Sequence, residues 1–453
     1  MIAQDLMPLA LPQLGFVEAL AASPESRASF SMSVSITGPL DVAALLTSLH
    51  GLVLKHDALR IAMRRTGARS WGQWVRDTPP LTEVTQCQAV HAASDIKFSK
   101  YVVGVATRDS ATPWNLEEDY PYRFRLIRRS ETDHVLLLTF AKQAVDGAVY
   151  LILPRELWSS YHALLAGEAA SSEPGNGFAE AVRRRADQDV PELAEFWRSR
   201  LTRARPSRFP APTAWVKPDG RLAPRTFTFS LAREEVQVLR DAASRLRRSE
   251  LQLIQAVLAE AVFEQVPDDT LAITLPVDTR RSRERDVLGQ FGVNLPLVLN
   301  RPANCDEMIT QVRQEWLQVL QNRHITSHTV RHLAPLSAGW LSGYEANNLR
   351  LNYLQHLPLT PAGPQGDGTL CIAYDQYPPR TLWDSAAVHL RVGSSADQID
   401  FTLSCDGHTV SDDVAESLAN SLHLLIRRRG GLLVQGADTT VGSADKVRSE
   451  HAR

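Results

Sequence analysis

The stretch that most restricts the fold runs from residue 122 to residue 167. "YRFRLIRRSETDHVLLLTFA" (122–141) reads as a β-hairpin, two β-rich runs joined by a polar turn. Its second strand delivers the chain to "VDG". "AVYLILPRELWSSYHALLAG" (148–167) then follows as a long helix with an apolar face, ending at Gly167. A carboxylate at the end of an apolar strand, here Asp146, is expected to be buried. Burial of a charge demands a charged or hydrogen-bonding partner. This one segment therefore calls for α/β packing and for a partner to Asp146.

The same strand and helix units recur on either side. In residues 28–65, "ASFSMSVSITGPLDVAALLTSLHGLVLKHDALRIAMRR", Phe30, Met32, Val34 and Ile36 alternate as in a half-buried strand. "GPLD" breaks it and offers Asp41 as an N-cap, after which Val42, Leu45, Leu46, Leu49, Leu52 and Val53 follow at helical spacing. "GEAASSEPGNG" (167–177), small, polar and punctuated by Pro and Gly, is the linker candidate. Beyond it, "ELAEFWRSRL" is helical and "RTFTFSL" a strand. "AREEVQVLRDAASRLRRSELQLIQAVLAEAVFEQV" forms two helices with Ser249 as an N-cap. "TLAITLPVD" is a strand, followed by a basic loop and "VLGQFGVNLPLVLN". The strands "LRLNYLQHL", "AVHLRVGSS" and "QIDFTLSCDG" precede a helix at 411–428. With 453 residues, more than one core usually serves, the expected architecture is two α/β lobes. They are assigned to 1–170 and 191–435, with a linker at 171–190 and a disordered polar tail at 436–453.

Composition narrows the class. The 49 basic and 51 acidic side chains nearly cancel, which argues against nucleic acid or an anionic membrane as the main partner. The start, "MIAQDLMPLALPQLGF", lacks the basic opening and long apolar core of a signal peptide, and no apolar run approaches the roughly 18 residues that span a bilayer. A soluble, cytoplasmic protein is expected. Cys87, Cys305, Cys371 and Cys405 show no C-x-x-C spacing and are read as buried free thiols in a reducing compartment.

Familiar catalytic motifs are missing. There is no G-x-G-x-x-G, Walker loop, H-E-x-x-H or G-x-S-x-G, and the serine of "GWLSG" (339–343) is misplaced for a nucleophile elbow. His324, His328 and His332 in "HITSHTVRH" would share one face of a continuous helix, where three imidazoles can hold zinc. Ser327 reads as an N-cap and "NRHITSH" as a break, which scatters them. No metal site is expected.

Five segments in order resemble the condensation domains of nonribosomal peptide synthetases, over roughly residues 8–430. "GPLDVAALLTSLHGLVLKHDALR" is similar to the family's N-terminal helix closing in H-E-A-L-R, and "ELAEFWRSRL" to its linker helix with a tryptophan. "DDTLAITLPVDTRR" and "GQFGVNLPL" resemble its second-lobe core strand and G-x-F-x-N-x-L-P-L segment, and "LRLNYL" its F-N-Y strand. The resemblance implies an α/β (α+β) fold of two chloramphenicol-acetyltransferase-like lobes in a V shape with a tunnel between them. It implies two carrier-tethered substrates entering that tunnel from opposite faces.

The family signature, H-H-x-x-x-D-G, falls on "AKQAVDG" (141–147). Asp146 and Gly147 match; the two histidines correspond to Ala141 and Lys142. Val149 stands where a hydroxyl residue is common, and Asn294 sits one place later than the usual asparagine. In the family the second histidine orients the acceptor amine and helps its proton leave. The aspartate pairs with a second-lobe arginine, which Arg280 matches best, with its neighbour Arg281 the other candidate. The implied site is then Lys142, Asp146 and Gly147 at the reacting centre, with Ala141, Val149, Asn294 and Tyr353 (beside Asn352) facing substrate. Arg280 is assigned a structural role, as are His56 and Arg60, because cations suit the helix C-terminus they occupy.

Histidine's unperturbed pKa is about 6.5 and lysine's about 10.4, so Lys142 is no base unless strongly desolvated. Three readings follow. Lys142 polarises a carbonyl or anchors a substrate in altered acyl transfer; the domain recruits carrier proteins or tailoring oxygenases without catalysis; or the tunnel hosts a cyclisation by positioning. Against all three stands a plain core strand and turn, with Lys142 at the surface or tunnel wall and Asp146 a structural ion. No cofactor is expected; the substrate would be phosphopantetheine-tethered. The expected partners are an acyl- or peptidyl-carrier protein and a tailoring enzyme. Without a carrier or adenylation module in the sequence, action in trans is expected.

Overall fold

A computed structural model of the protein describes residues 6–22, 29–67, 70–91, 94–169, 174–175, 177–186, 191–203, 207–210, 225–325, 349–355, 370–374, 386–432 and 448–450. The predicted hairpin is present: Tyr122–Arg128 and Asp133–Ala141 pair antiparallel, and the second strand also pairs with Ser29–Thr37, with Ser29 opposite Ala141. Thr85–Ala89 adds a parallel edge to Tyr122–Arg128.

Side chains along Asp133–Ala141 alternate between two cores, which explains its nearly unbroken apolar run. Leu136, Leu138 and Phe140 pack with Leu45, Leu49 and Leu52 of helix Val42–Lys55 and with Leu153 and Leu157 of helix Val149–Leu165. Val135 and Leu137 face the other way, onto Phe98, Val102 and Val105 of helix Asp95–Ala111. Asp41 caps the first helix as expected, accepting the Ala44 N–H at 2.9 Å.

A seven-stranded sheet forms the second half, in the order Gly292–Asn300, Thr270–Asp278, Leu349–Gln355, Val388–Ser394, Gln398–Cys405, Arg225–Ala232 and Arg448–Glu450. Helices Arg233–Arg245, Glu250–Phe263, Cys305–Gln321 and Asp412–Arg429 accompany it, and Ser249 closes a capping box with Gln252. Arg448–Glu450 lies in the stretch expected to be disordered, and those three residues pair with Arg225–Ala232 instead.

Several contacts tie the halves together. Cys371–Tyr374, far along the chain, crosses over and pairs antiparallel with Ser29–Thr37, completing the first half's sheet. The stretch assigned as linker carries helix Gly177–Ala186, whose first N–H groups are capped by the buried Asp57: Phe178 N donates to Oδ1 at 3.1 Å and Ala179 N to Oδ2 at 2.7 Å. Phe178 meets Phe291 edge-on, ring centroids 5.2 Å apart, in a cluster with Leu9, Val17, Ile61 and Met63. A small sheet of Met7–Pro8, Ser70–Val75 and Ile61–Gly67 lies against this cluster.

Cys405 is buried as expected, and burial pushes its thiol up to about 12. Cys87 and Cys371 are exposed, contrary to expectation, because they sit on the two outermost strands of the five-stranded sheet. No helix among the described residues is long and apolar enough to cross a membrane.

Candidate functional site

Asp146 follows the buried strand, and its carboxylate is surrounded by donors. Oδ1 accepts from Arg280 Nη2 at 3.0 Å and from the Ala148 N–H at 3.0 Å. Oδ2 accepts from Arg280 Nη1 at 2.8 Å and from the Phe291 and Gly292 N–H groups at 2.9 and 3.0 Å. Five donors on two oxygens, two of them a bidentate guanidinium, satisfy a buried carboxylate nearly completely. Arg280 is equally committed, donating Nε to Val287 O at 3.0 Å, Nη2 to Gly289 O at 3.1 Å and Nη1 to Asp278 Oδ1 at 3.1 Å. Burial opposes the guanidinium's charge, but Asp146 and then Asp278 prevail and hold its pKa above the ordinary value. Arg280, then, and not Arg281, takes the partner's place; the Arg281 N–H donates to Glu284 Oε2 at 2.9 Å.

Lys142 begins the turn that leads to Asp146 and is half-buried, its ammonium 5.3 Å from the centre of the Phe30 ring. Phe30 in turn meets Tyr150 edge-on at 6.0 Å, and Tyr150 Oη donates to Ser31 O at 3.2 Å. Gly147 is half-buried, and a Cβ there would lie 4.0 Å from Leu354 of the second half. The turn and the end of strand Leu349–Gln355 therefore approach each other across the two halves.

The other sequence-assigned residues fall into two groups. Ala141 and Val149, expected to face substrate, are fully buried in the first half, Val149 within its core. Their side chains point into packing because both flank the buried strand and helix rather than the turn between them. Asn294 is half-buried opposite Pro276 in its strand pair. Tyr353 packs on the second half's core and donates its hydroxyl to Glu250 Oε1 at 2.9 Å; burial, with that carboxylate alongside, pushes the phenol up to about 12. Glu250 is also held by Arg240 Nε at 2.8 Å.

His56 and Arg60 stand at the end of helix Val42–Lys55. His56 Nε2 meets Glu156 Oε2 at 2.7 Å, and Arg60 donates to the carbonyls of Val53, Leu54, Arg76 and Gly175. The bonds to Val53 and Leu54 occupy carbonyls that the helix end leaves unpaired, and those to Arg76 and Gly175 tie that end to neighbouring segments. Of the three histidines, His328 and His332 lie outside the described residues, as does "GWLSG". Burial and the nearby Arg323, Arg281 and Arg185 push His324 below the usual imidazole range.

Sequence reasoning missed the glutamines around this turn. Gln290, Gln13 and Gln73 are all buried, and the first two donate to carbonyls of the turn. A polar residue inside the otherwise apolar "GQFGVNLPL" was the available signal for Gln290.

The family model described as Condensation domain matches residues 3–336. Phosphinothricin tripeptide synthetase PhsC of Streptomyces viridochromogenes is 27% identical over 312 residues, covering 65% of this chain and 28% of that protein. The chain thus spans under a third of that relative's length. Among solved structures, the X-domain from teicoplanin biosynthesis matches with a TM-score of 0.73 at 20% identity, over 95% of this chain and 96% of that one. A second structure holds that X-domain in complex with OxyB, with the same TM-score, 20% identity and coverage of 95% and 94%. These neighbours share the two-lobe chloramphenicol-acetyltransferase-like fold.

Proposed function

The chain belongs to the Condensation domain family, and on that premise we propose that it binds a carrier-tethered intermediate of nonribosomal peptide synthesis without the family's general-base chemistry, as a docking module for a tailoring enzyme. One observation carries the reading. The position of the orienting histidine holds Lys142, while the Asp146 carboxylate is saturated by Arg280 and three backbone N–H groups. Neither group replaces the histidine: a lysine's reference pKa is about 10.4, far from that of an imidazole, and the Asp146 lone pairs are engaged by five donors. What survives is the frame, a turn held by hydrogen bonds from the second half, with Lys142 at its start. The complex of the teicoplanin X-domain and OxyB supports the partner class, since a shared fold there meets another protein.

A second reading, acyl transfer in which Lys142 polarises a carbonyl, draws on the placement of its ammonium over the Phe30 ring. One pair of measurements separates the two. Peptidyl-loaded carrier protein is titrated against the wild type and Lys142→Ala, and peptide-bond formation is assayed with donor- and acceptor-loaded carriers. Saturable binding, weakened about tenfold in Lys142→Ala and without product above background, is expected; tenfold corresponds to about 1.4 kcal/mol. Product formed by the wild type and lost in Lys142→Ala overturns the docking reading in favour of acyl transfer.

A further inference from the structure

The turn carrying Lys142 leaves its carbonyls outside any helix or sheet ladder, and buried carbonyls need donors. Two amides supply them, Gln290 and Gln13. Gln290, of the second half and only 2% exposed, donates Nε2 to Lys142 O at 2.6 Å and to Val145 O at 3.2 Å. Its Oε1 accepts the Gly292 N–H at 3.1 Å. Two carbonyls can only accept and one N–H can only donate, so the orientation of this amide is forced. From the first half, Gln13 donates Nε2 to Gln143 O at 3.0 Å and pairs reciprocally with Gln73 at 2.9 Å, while Gln73 donates to Pro8 O at 2.8 Å.

Gln290 is also joined to the Asp146 node. The Gly292 N–H that it accepts is shared with Asp146 Oδ2 at 3.0 Å. One side chain therefore links the inter-lobe ion pair to the carbonyl of the residue in the histidine position. Arg280 and Asp146 hold the far end of the turn; Gln290 holds the Lys142 carbonyl at its near end and the Val145 carbonyl beside Asp146.

We propose that Gln290 is a positioning residue for Lys142, acting through the Lys142 carbonyl to hold the backbone from which the ammonium projects towards Phe30. This deepens the docking reading and rests on it insofar as Lys142 meets the ligand. Loss of the amide frees the turn to rotate, and the ammonium then loses its fixed place. Any side chain at 142 inherits the same backbone.

The test uses the full chain with its lysines reductively 13C-methylated. Only six lysines are present, so the Lys142 resonance is identified by its loss in Lys142→Ala. Gln290→Met keeps the side-chain volume and removes the amide. It is expected to shift and broaden the Lys142 signal while leaving the signals of Lys55, Lys97 and Lys100 in place. If the Met variant does not fold, Gln290→Asn, one methylene shorter, carries the same measurement. An unchanged Lys142 resonance in a folded Gln290 variant overturns the proposal, and this arm needs no ligand. In the binding arm, Gln290→Met is expected to weaken peptidyl-carrier binding several-fold in the wild type and not at all in Lys142→Ala. An equal loss in both backgrounds makes Gln290 merely structural. Absence of any carrier binding by the wild type would strike at the docking function alone, with the resonance still deciding the role of Gln290.

Discussion

At the scale of single residues, Asp146 and Arg280 dominate. Each is nearly excluded from solvent, at 10% and 5% side-chain exposure, so neither can exchange its partner for water. Removing one member of a buried pair leaves an uncompensated charge, which costs about 3–5 kcal/mol. Arg280→Ala is expected to lower the thermal midpoint accordingly, and Arg280→Lys to fall between, since an ammonium keeps the charge but not the bidentate fork. A melting curve for Arg280→Ala that overlays the wild type would refute the pair's contribution. That Asp146 needs a partner was legible in the sequence, because the cost of burying a charge is a local rule; that the partner is Arg280 came only from the family resemblance, which left Arg281 as the other candidate. The roles of Ala141 and Val149 were not: their positions follow a motif, whereas their burial depends on which way the strand and helix face.

Among the elements, helix Gly177–Ala186 departs most from its sequence reading. The preceding Gly, Pro and Ser residues suggest a linker, yet Phe178, Ala179, Ala181 and Val182 are buried, and Asp57 caps the helix from the end of another. Its seat depends on a close approach. A Cβ on Gly289 would clash with the Phe178 ring, and Gly289 O also accepts from Arg280 and from the Asp146 N–H. Gly289→Ala must displace either the ring or the loop whose Gly289 carbonyl Arg280 and Asp146 share. Overpacking of this kind costs about 1–3 kcal/mol, and adding Phe178→Leu should recover part of it. Thermal melts of the two variants check this; a Gly289→Ala protein as stable as the wild type would mean the ring yields freely. A polar ten-residue helix with only four buried positions has too weak an apolar stripe to announce itself against a Gly- and Pro-rich approach.

Over the whole molecule, the two halves are not separable bodies. Strand Cys371–Tyr374 completes the first sheet by pairing along Ser29–Thr37, and the core around Phe178 and Phe291 draws from both halves. Removing either half would expose a sheet edge and an apolar cluster at once. Scanning calorimetry is therefore expected to show one cooperative unfolding transition, with calorimetric and van't Hoff enthalpies in agreement. Two resolved transitions would show that the crossing strand does not couple the halves.

By itself the sequence determined the alternation of strands and helices, the two-lobe plan, the burial of Asp146 and the loss of both histidines from the motif. The first three follow from periodicity, chain length and the cost of burying a charge; the loss of the histidines is read only against the family motif that the segment resembles. Tertiary structure alone decided that a distant strand finishes the first sheet and that Gln290 reaches Lys142, 148 positions away, while Gln13 reaches Gln143 across 130. Periodicity records which face of an element is buried. It carries no record of which carbonyls remain unpaired once the elements have packed, and those orphans are what the glutamines answer.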